Sequence, residues 1–195
     1  MLISFQNNHF SSGFFFFLRT QGKWSDEQVM DLLELKGYSR IPNALGDKPY
    51  EDGKRYLFLT DDEEWTHLMD DWYYTHRNEG GFFDRLRLLS QQVDILTFSV
   101  GDVDESFQLF YFRKGIEERA LEVTESGQGE LQVLRDEGVP FPDEPIPQRG
   151  TDPLPNLFKV AASLGISQLP NPHHIRAYFR PHSKEEMLNF KLIQW

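Results

Sequence analysis

Four consecutive phenylalanines and a leucine, Phe14–Leu18, place the tightest constraint on how this chain folds. A half-exposed strand or an amphipathic helix alternates apolar with polar positions. This run does neither, so both of its sides must be covered. It reads as a short buried strand, although periodicity alone leaves a buried helix open. Its five apolar residues fall far short of the roughly 20 that a membrane span requires. The run belongs to a wider excess, because 17 of the 195 residues are Phe and aromatics reach 14%. Phe buries a large apolar area, so such a chain can stabilise a packed core, and its length suits one ordinary domain.

Around that strand the punctuation is regular. Ser25-Asp26-Glu27-Gln28 forms a capping box, and Val29, Leu32 and Leu33 follow at helical spacing, which predicts a helix over 26–36 stopped by Gly37. Ile41–Gly53 is loop-like, and Arg55–Leu59 is a short strand. Thr60 or Asp61 then caps an expected second helix, with four acids in its first turn and Trp65, Leu68, Met69 and Trp72 at helical spacing. A third, shorter helix is expected from Phe82, Phe83, Leu86 and Leu89. Beyond it, Val93–Val100, Phe107–Phe112, Ile116–Thr124 and Leu131–Leu134 are separated by Gly- and Asp-containing turns, the pattern of an antiparallel meander. Six prolines between Gly138 and Pro155 mark an extended connection. Asp152-Pro153 starts a helix that ends near Gly165, Ile175–Phe179 is a strand, and Ser183 caps a last short helix.

The expected fold is α+β: a mainly antiparallel sheet with helices packed on it, a β-α-β-α portion first, then the meander and a C-terminal helix. Residues 1–137 form the core, 138–155 the Pro-rich connection and 156–195 a helical segment docked on the core, all in one domain.

The charge narrows the partners. With 31 acidic against 20 basic residues the net charge is −11. Such a surface repels a phosphate backbone, so nucleic acid is not an expected partner. A basic protein is the partner that this field would attract, while solubility alone is the plainer account of it. The chain has no cysteine, which removes disulfides, thiolate metal sites and a thiol nucleophile and fits a reducing, cytoplasmic setting. Residues 1–10 carry no Lys or Arg and no long apolar core, so neither a targeting segment nor membrane association is expected. No cofactor is expected either, because the sequence holds no phosphate loop, no Gly-x-Gly-x-x-Gly and no Gly-x-Ser-x-Gly elbow.

Three groups of residues carry candidate chemistry. Asp102 and Asp104 follow an apolar strand, where an Asp-x-Asp pair can bind Mg²⁺ or supply a nucleophile and an acid/base. The pattern resembles the first motif of haloacid-dehalogenase-type phosphatases, but Ser106 stands where Thr or Val is usual, and the downstream strand–helix alternation of that fold is missing. A polar turn between two antiparallel strands is the preferred reading. The second group is acidic and aromatic: Asp61, Asp62, Asp70 and Asp71 framed by Trp65 and Trp72. On a helix they would share a face and offer a basic partner both charge and aromatic anchors, although such aromatics are more often core. The third group is the pair His173-His174 with His182, which lacks any His-Glu-x-x-His and reads as loop.

The stretch Val93–Glu144 resembles segments of uncharacterised bacterial proteins, through Gly101–Ser106, the paired strand Phe107–Phe112, Gly115, and Gly138-Val139-Pro140-Phe141-Pro142-Asp143-Glu144. As a whole, the small, acidic, aromatic-rich chain is similar in character to immunity proteins that neutralise polymorphic toxins. That likeness implies a non-enzymatic protein-binding module and transfers no functional residue. The competing expectation is a metal-dependent hydrolase or phosphatase built on Asp102 and Asp104.

Overall fold

The computed structural model describes residues 14–42, 54–70, 81–101, 104–167 and 175–181. Nine strands form one sheet: β1 (Phe14–Leu18), β2 (Ser39–Arg40), β3 (Lys54–Asp62), β4 (Trp65–Asp70), β5 (Ile95–Val100), β6 (Phe107–Arg113), β7 (Ile116–Glu125), β8 (Leu131–Gly138) and β9 (Arg176–Pro181). Their order is β2-β9-β3-β4-β1-β5-β6-β7-β8, and every neighbouring pair is antiparallel. Three helices complete the described elements: α1 (Asp26–Leu32), α2 (Phe82–Leu89) and α3 (Leu154–Ser163). The chain is therefore α+β and dominated by an antiparallel sheet.

The phenylalanine run is the middle strand. Phe16 pairs with Leu68 on one side and Thr97 on the other. Successive side chains leave a strand on opposite faces, so the run feeds two cores at once. Phe16 and Leu18 join Leu57, Leu59, Ile95, Phe110 and Phe112 under Val29 and Met30 of α1 and Leu86 of α2. Phe17 joins Leu96, Phe98, Leu109, Tyr111 and Val123 under Leu157, Val160 and Ala161 of α3. Face-sharing rings reinforce the second core: Phe15 lies 4.8 Å from Phe98 and 5.1 Å edge-on from Phe158.

The expected meander is present as β5 to β8. Its tightest turn is Lys114-Gly115, with both residues at positive φ (52° and 80°), the backbone that a two-residue hairpin needs to match strand twist. The Ser25 cap also forms: its hydroxyl accepts from the Gln28 amide while the Gln28 side chain accepts from the Ser25 amide. The helix stops sooner than expected. Glu34 takes φ 57°, and the Leu35 amide donates to the Met30 carbonyl at 2.8 Å, so Glu34 fills the left-handed stop position that the sequence assigned to Gly37. α3 starts one residue later than expected: Pro153 takes the cap position, Asp152 just before it accepts from the Leu154 amide at 2.9 Å, and Gly165 at φ 87° closes the other end.

One helix must be corrected. The residues expected to form it from Asp61 onward continue β3 to Asp62, turn at Glu63 (φ 49°) and Glu64, and return as β4 through Asp70. A β3–β4 hairpin replaces the second helix, so the β-α-β-α order does not hold. The cause is burial on both faces. Trp65 and His67 point into one layer and Thr66 and Leu68 into the other, which erases the alternation that marks a strand and leaves a spacing that mimics a helix. The strand expected at Ile175–Phe179 is β9, and it lies inside the sheet between β2 and β3. The loop 43–53 and the final short helix from Ser183 lie outside the described residues.

Candidate functional site

The hairpin decides what the first acidic group can do. In a strand, Asp61 and Asp62 diverge to opposite faces. Asp61 accepts from the Thr66 hydroxyl at 3.0 Å and pairs with Arg176 at 2.8 Å. Arg176 also forks onto Asp26 of α1, with both contacts at 2.8 Å, and Asp26 accepts from the Tyr178 hydroxyl. Burial and then Asp26 push the Tyr178 hydroxyl up to about 12. On the other face, Asp62 accepts from the Ser167 amide just beyond α3. These two carboxylates tie the hairpin to α1, β9 and the end of α3. Trp65 is 1% exposed and donates its indole N–H to the Leu164 carbonyl at 3.0 Å, so in the folded chain it is a core residue. Asp70 sits in register with Leu57, while Asp71 and Trp72 lie outside the described residues.

The second group is a turn. Asp104 accepts from the Ser106 amide at 3.0 Å, and the Gly101 amide donates to the Ser106 carbonyl at 2.7 Å, closing the link between β5 and β6. Asp102 lies outside the described residues, as do His173, His174 and His182. Among the described residues, no three His, Asp or Glu side chains converge in a metal-ligating arrangement.

Three features escaped the sequence. The first is a clamp around Arg119, whose side chain is 3% exposed. Its guanidinium donates to both oxygens of Glu144 (2.7 and 2.6 Å), to Asp136 (2.7 Å) and to the Glu137 carbonyl (2.8 Å). Glu144 in turn accepts from the Phe141 amide, and Phe141 lies edge-on to Tyr111. The clamp fixes one end of the Pro-rich strap 139–153 on the α3 face. Its other end is held where Glu105 accepts from the Gly150 amide at 3.0 Å, and Arg149 crowds Gly129 in the β7–β8 turn. The signal for the clamp was one arginine next to the apolar Ala120, Leu121 and Val123. The second feature is His67, buried and stacked 4.4 Å from Phe17, with its Nε2 unpaired. Burial alone drives its pKa down to about 3. Thr60, its cross-strand neighbour, is buried with an unpaired hydroxyl.

The third feature is the sheet's free end. β8 is the terminal strand, and six of its eight positions are exposed, so its outer backbone groups face away from any described strand. Val133 and Leu134 are 50% and 57% exposed, and Val139 just beyond is 83% exposed. Basic groups nearby are already engaged: Arg135 pairs with Glu117 and Glu137, and Arg119 is clamped. The exposed acids Glu118, Glu130 and Asp143 hold no ion pair among the described residues.

Fold and site define an antiparallel sheet layered on both faces by helices, with β2 and β8 as its terminal strands among the described residues. No family model, curated protein or solved structure matches the chain.

Proposed function

We propose that this chain is a non-enzymatic binding protein for a basic protein partner, and that toxin neutralisation is its most concrete form. One observation carries the reading, namely the acidic excess of 31 Asp and Glu over 20 Lys and Arg. Arginines 19, 87, 119, 135 and 176 are engaged in ion pairs, while Lys23, Lys36, Arg40, Lys114, Arg149 and Lys159 are exposed. Asp31, Glu34, Glu63, Glu118, Glu130 and Asp143 are exposed, with no ion partner among the described residues. The net charge of −11 steers a cationic partner toward the chain and accelerates encounter. Asp61 and Asp62, the carboxylates expected in a recognition patch, are engaged by Arg176 and by the Ser167 amide.

The test is capture from native lysate by the immobilised full chain. The expected result is a stoichiometric partner of high isoelectric point, retained at low salt and released at high salt, because surface attraction is screened over about 10 Å at 0.1 M ionic strength. An acidic partner, or binding that salt leaves unchanged, counts against the reading.

A further inference from the structure

We infer that the partner docks on β8 as an added antiparallel strand, an extended segment alternating basic and apolar residues. The inference rests on the acidic-receptor reading and names the surface that carries it. A terminal strand offers a row of unpaired amides and carbonyls, which is a template for strand addition. Proteins commonly hide such edges, and among the described residues no further strand pairs with the outer side of this one: Val133 and Leu134 remain half exposed on it. Leu134 is the extra residue of a bulge, since Glu122 pairs with Arg135 and Val123 pairs with Val133. Bulges re-aim side chains at sheet edges.

Charge selects the occupant. Asp136 and Glu137 are mostly exposed (61% and 66%) but already pair with Arg119 and Arg135, so the unpaired acids beside the edge are Glu118 and Asp143. Glu118 lies across the β7–β8 pair from them, its carbonyl against Gly138, and Asp143 stands beside the Glu144 clamp. A second copy of this chain would bring the same acids edge to edge, and like charges directly opposite each other destabilise a strand pair. A strand carrying Lys or Arg gains where a second copy would lose. Apolar residues between its cations meet Val133, Leu134 and Val139.

Backbone hydrogen exchange of the full chain tests this with defined probes. The first is a peptide of about nine residues alternating Lys with Val and Thr, long enough for one typical strand. The second has the same composition with a central proline, which cannot complete the ladder. The third replaces Lys with Glu. At low salt the first peptide is expected to slow exchange of amides within 131–138 about tenfold or more, and the other two to leave them unchanged. Replacing Val133→Ser and Leu134→Ser together, which removes apolar contact without adding charge, is expected to weaken the first peptide about tenfold. Both side chains are exposed, so the fold tolerates the change. Protection confined to another element, or equal effects from the proline peptide, overturns docking on β8 while the acidic-receptor reading stands. So does a sedimentation-defined dimer that already protects these amides. Failure of the lysine peptide to bind anywhere, together with no basic partner in the lysate, removes both.

Discussion

Arg119 is the residue on which the most structure hangs. It is nearly inaccessible and makes charge-assisted bonds to two carboxylates and a carbonyl, and the leading one, to Glu144, raises its already high pKa further. Removing one member of a buried pair strands the other charge, so Arg119→Met or Glu144→Gln should each cost about 3–5 kcal/mol. The two together should cost less than their sum, because neither then leaves a buried partner behind. Urea unfolding of the two single variants and the double variant checks this. His67 makes a prediction of opposite character. Its folded pKa lies near 3, below the ordinary value near 6.5 of the unfolded chain. The unfolded state therefore binds the proton first, and the histidine's contribution to stability, complete above pH 6.5, erodes as pH falls toward 3. By pH 5 the loss is about 2 kcal/mol. A His67→Leu variant should have a flatter stability curve between pH 4 and 7 than the parent, and parallel curves would contradict the account. Neither residue announced its role. A charged residue inside a strand shows its partners only when a distant segment, here the strap, is brought over it.

At the scale of the element, local chemistry was legible wherever it acts within a few residues. The Ser25 capping box, the Lys114-Gly115 turn and the Asp152 start of α3 all follow from side chains that bond their own neighbourhood. Ser25→Ala should cost about 1 kcal/mol by removing an acceptor from the first turn. Glu34 makes the reverse prediction. It holds a left-handed backbone at φ 57° in the α1 stop, where glycine is free of the Cβ penalty. Glu34→Gly should stabilise the protein by about 0.5–1 kcal/mol, read as a raised melting temperature. The β3–β4 hairpin was illegible for a different reason. Its acids satisfied a helix start, and its apolar residues, buried on both faces, presented a helical spacing by coincidence. The decisive contacts, Leu59 with Leu68 and Thr60 with His67, are cross-strand, and no window of sequence contains their energetic sum.

For the whole molecule, the Phe14–Leu18 run correctly implied a strand covered twice, and the turns correctly implied a meander. The rest depended on which strands meet. β9, from the far end of the chain, enters the sheet beside β3, and β1 parts β4 from β5. Long-range pairing of this kind is set by register and face and leaves little local trace. The same assembly separates the acids into two populations. Asp61 and Asp62 are tied to Arg176 and the Ser167 amide, whereas Glu118, Glu130 and Asp143 near β8 are exposed with no ion pair among the described residues. The account stands on that division, and one comparison of partner affinity tests it. Glu118→Lys and Asp143→Lys are set beside Asp61→Asn, each measured by calorimetry against the captured basic partner at low salt. The two lysine variants should each weaken binding about tenfold, while Asp61→Asn should leave affinity intact and lower thermal stability. A loss of affinity confined to Asp61→Asn, with the β8-side variants binding normally, would contradict the account.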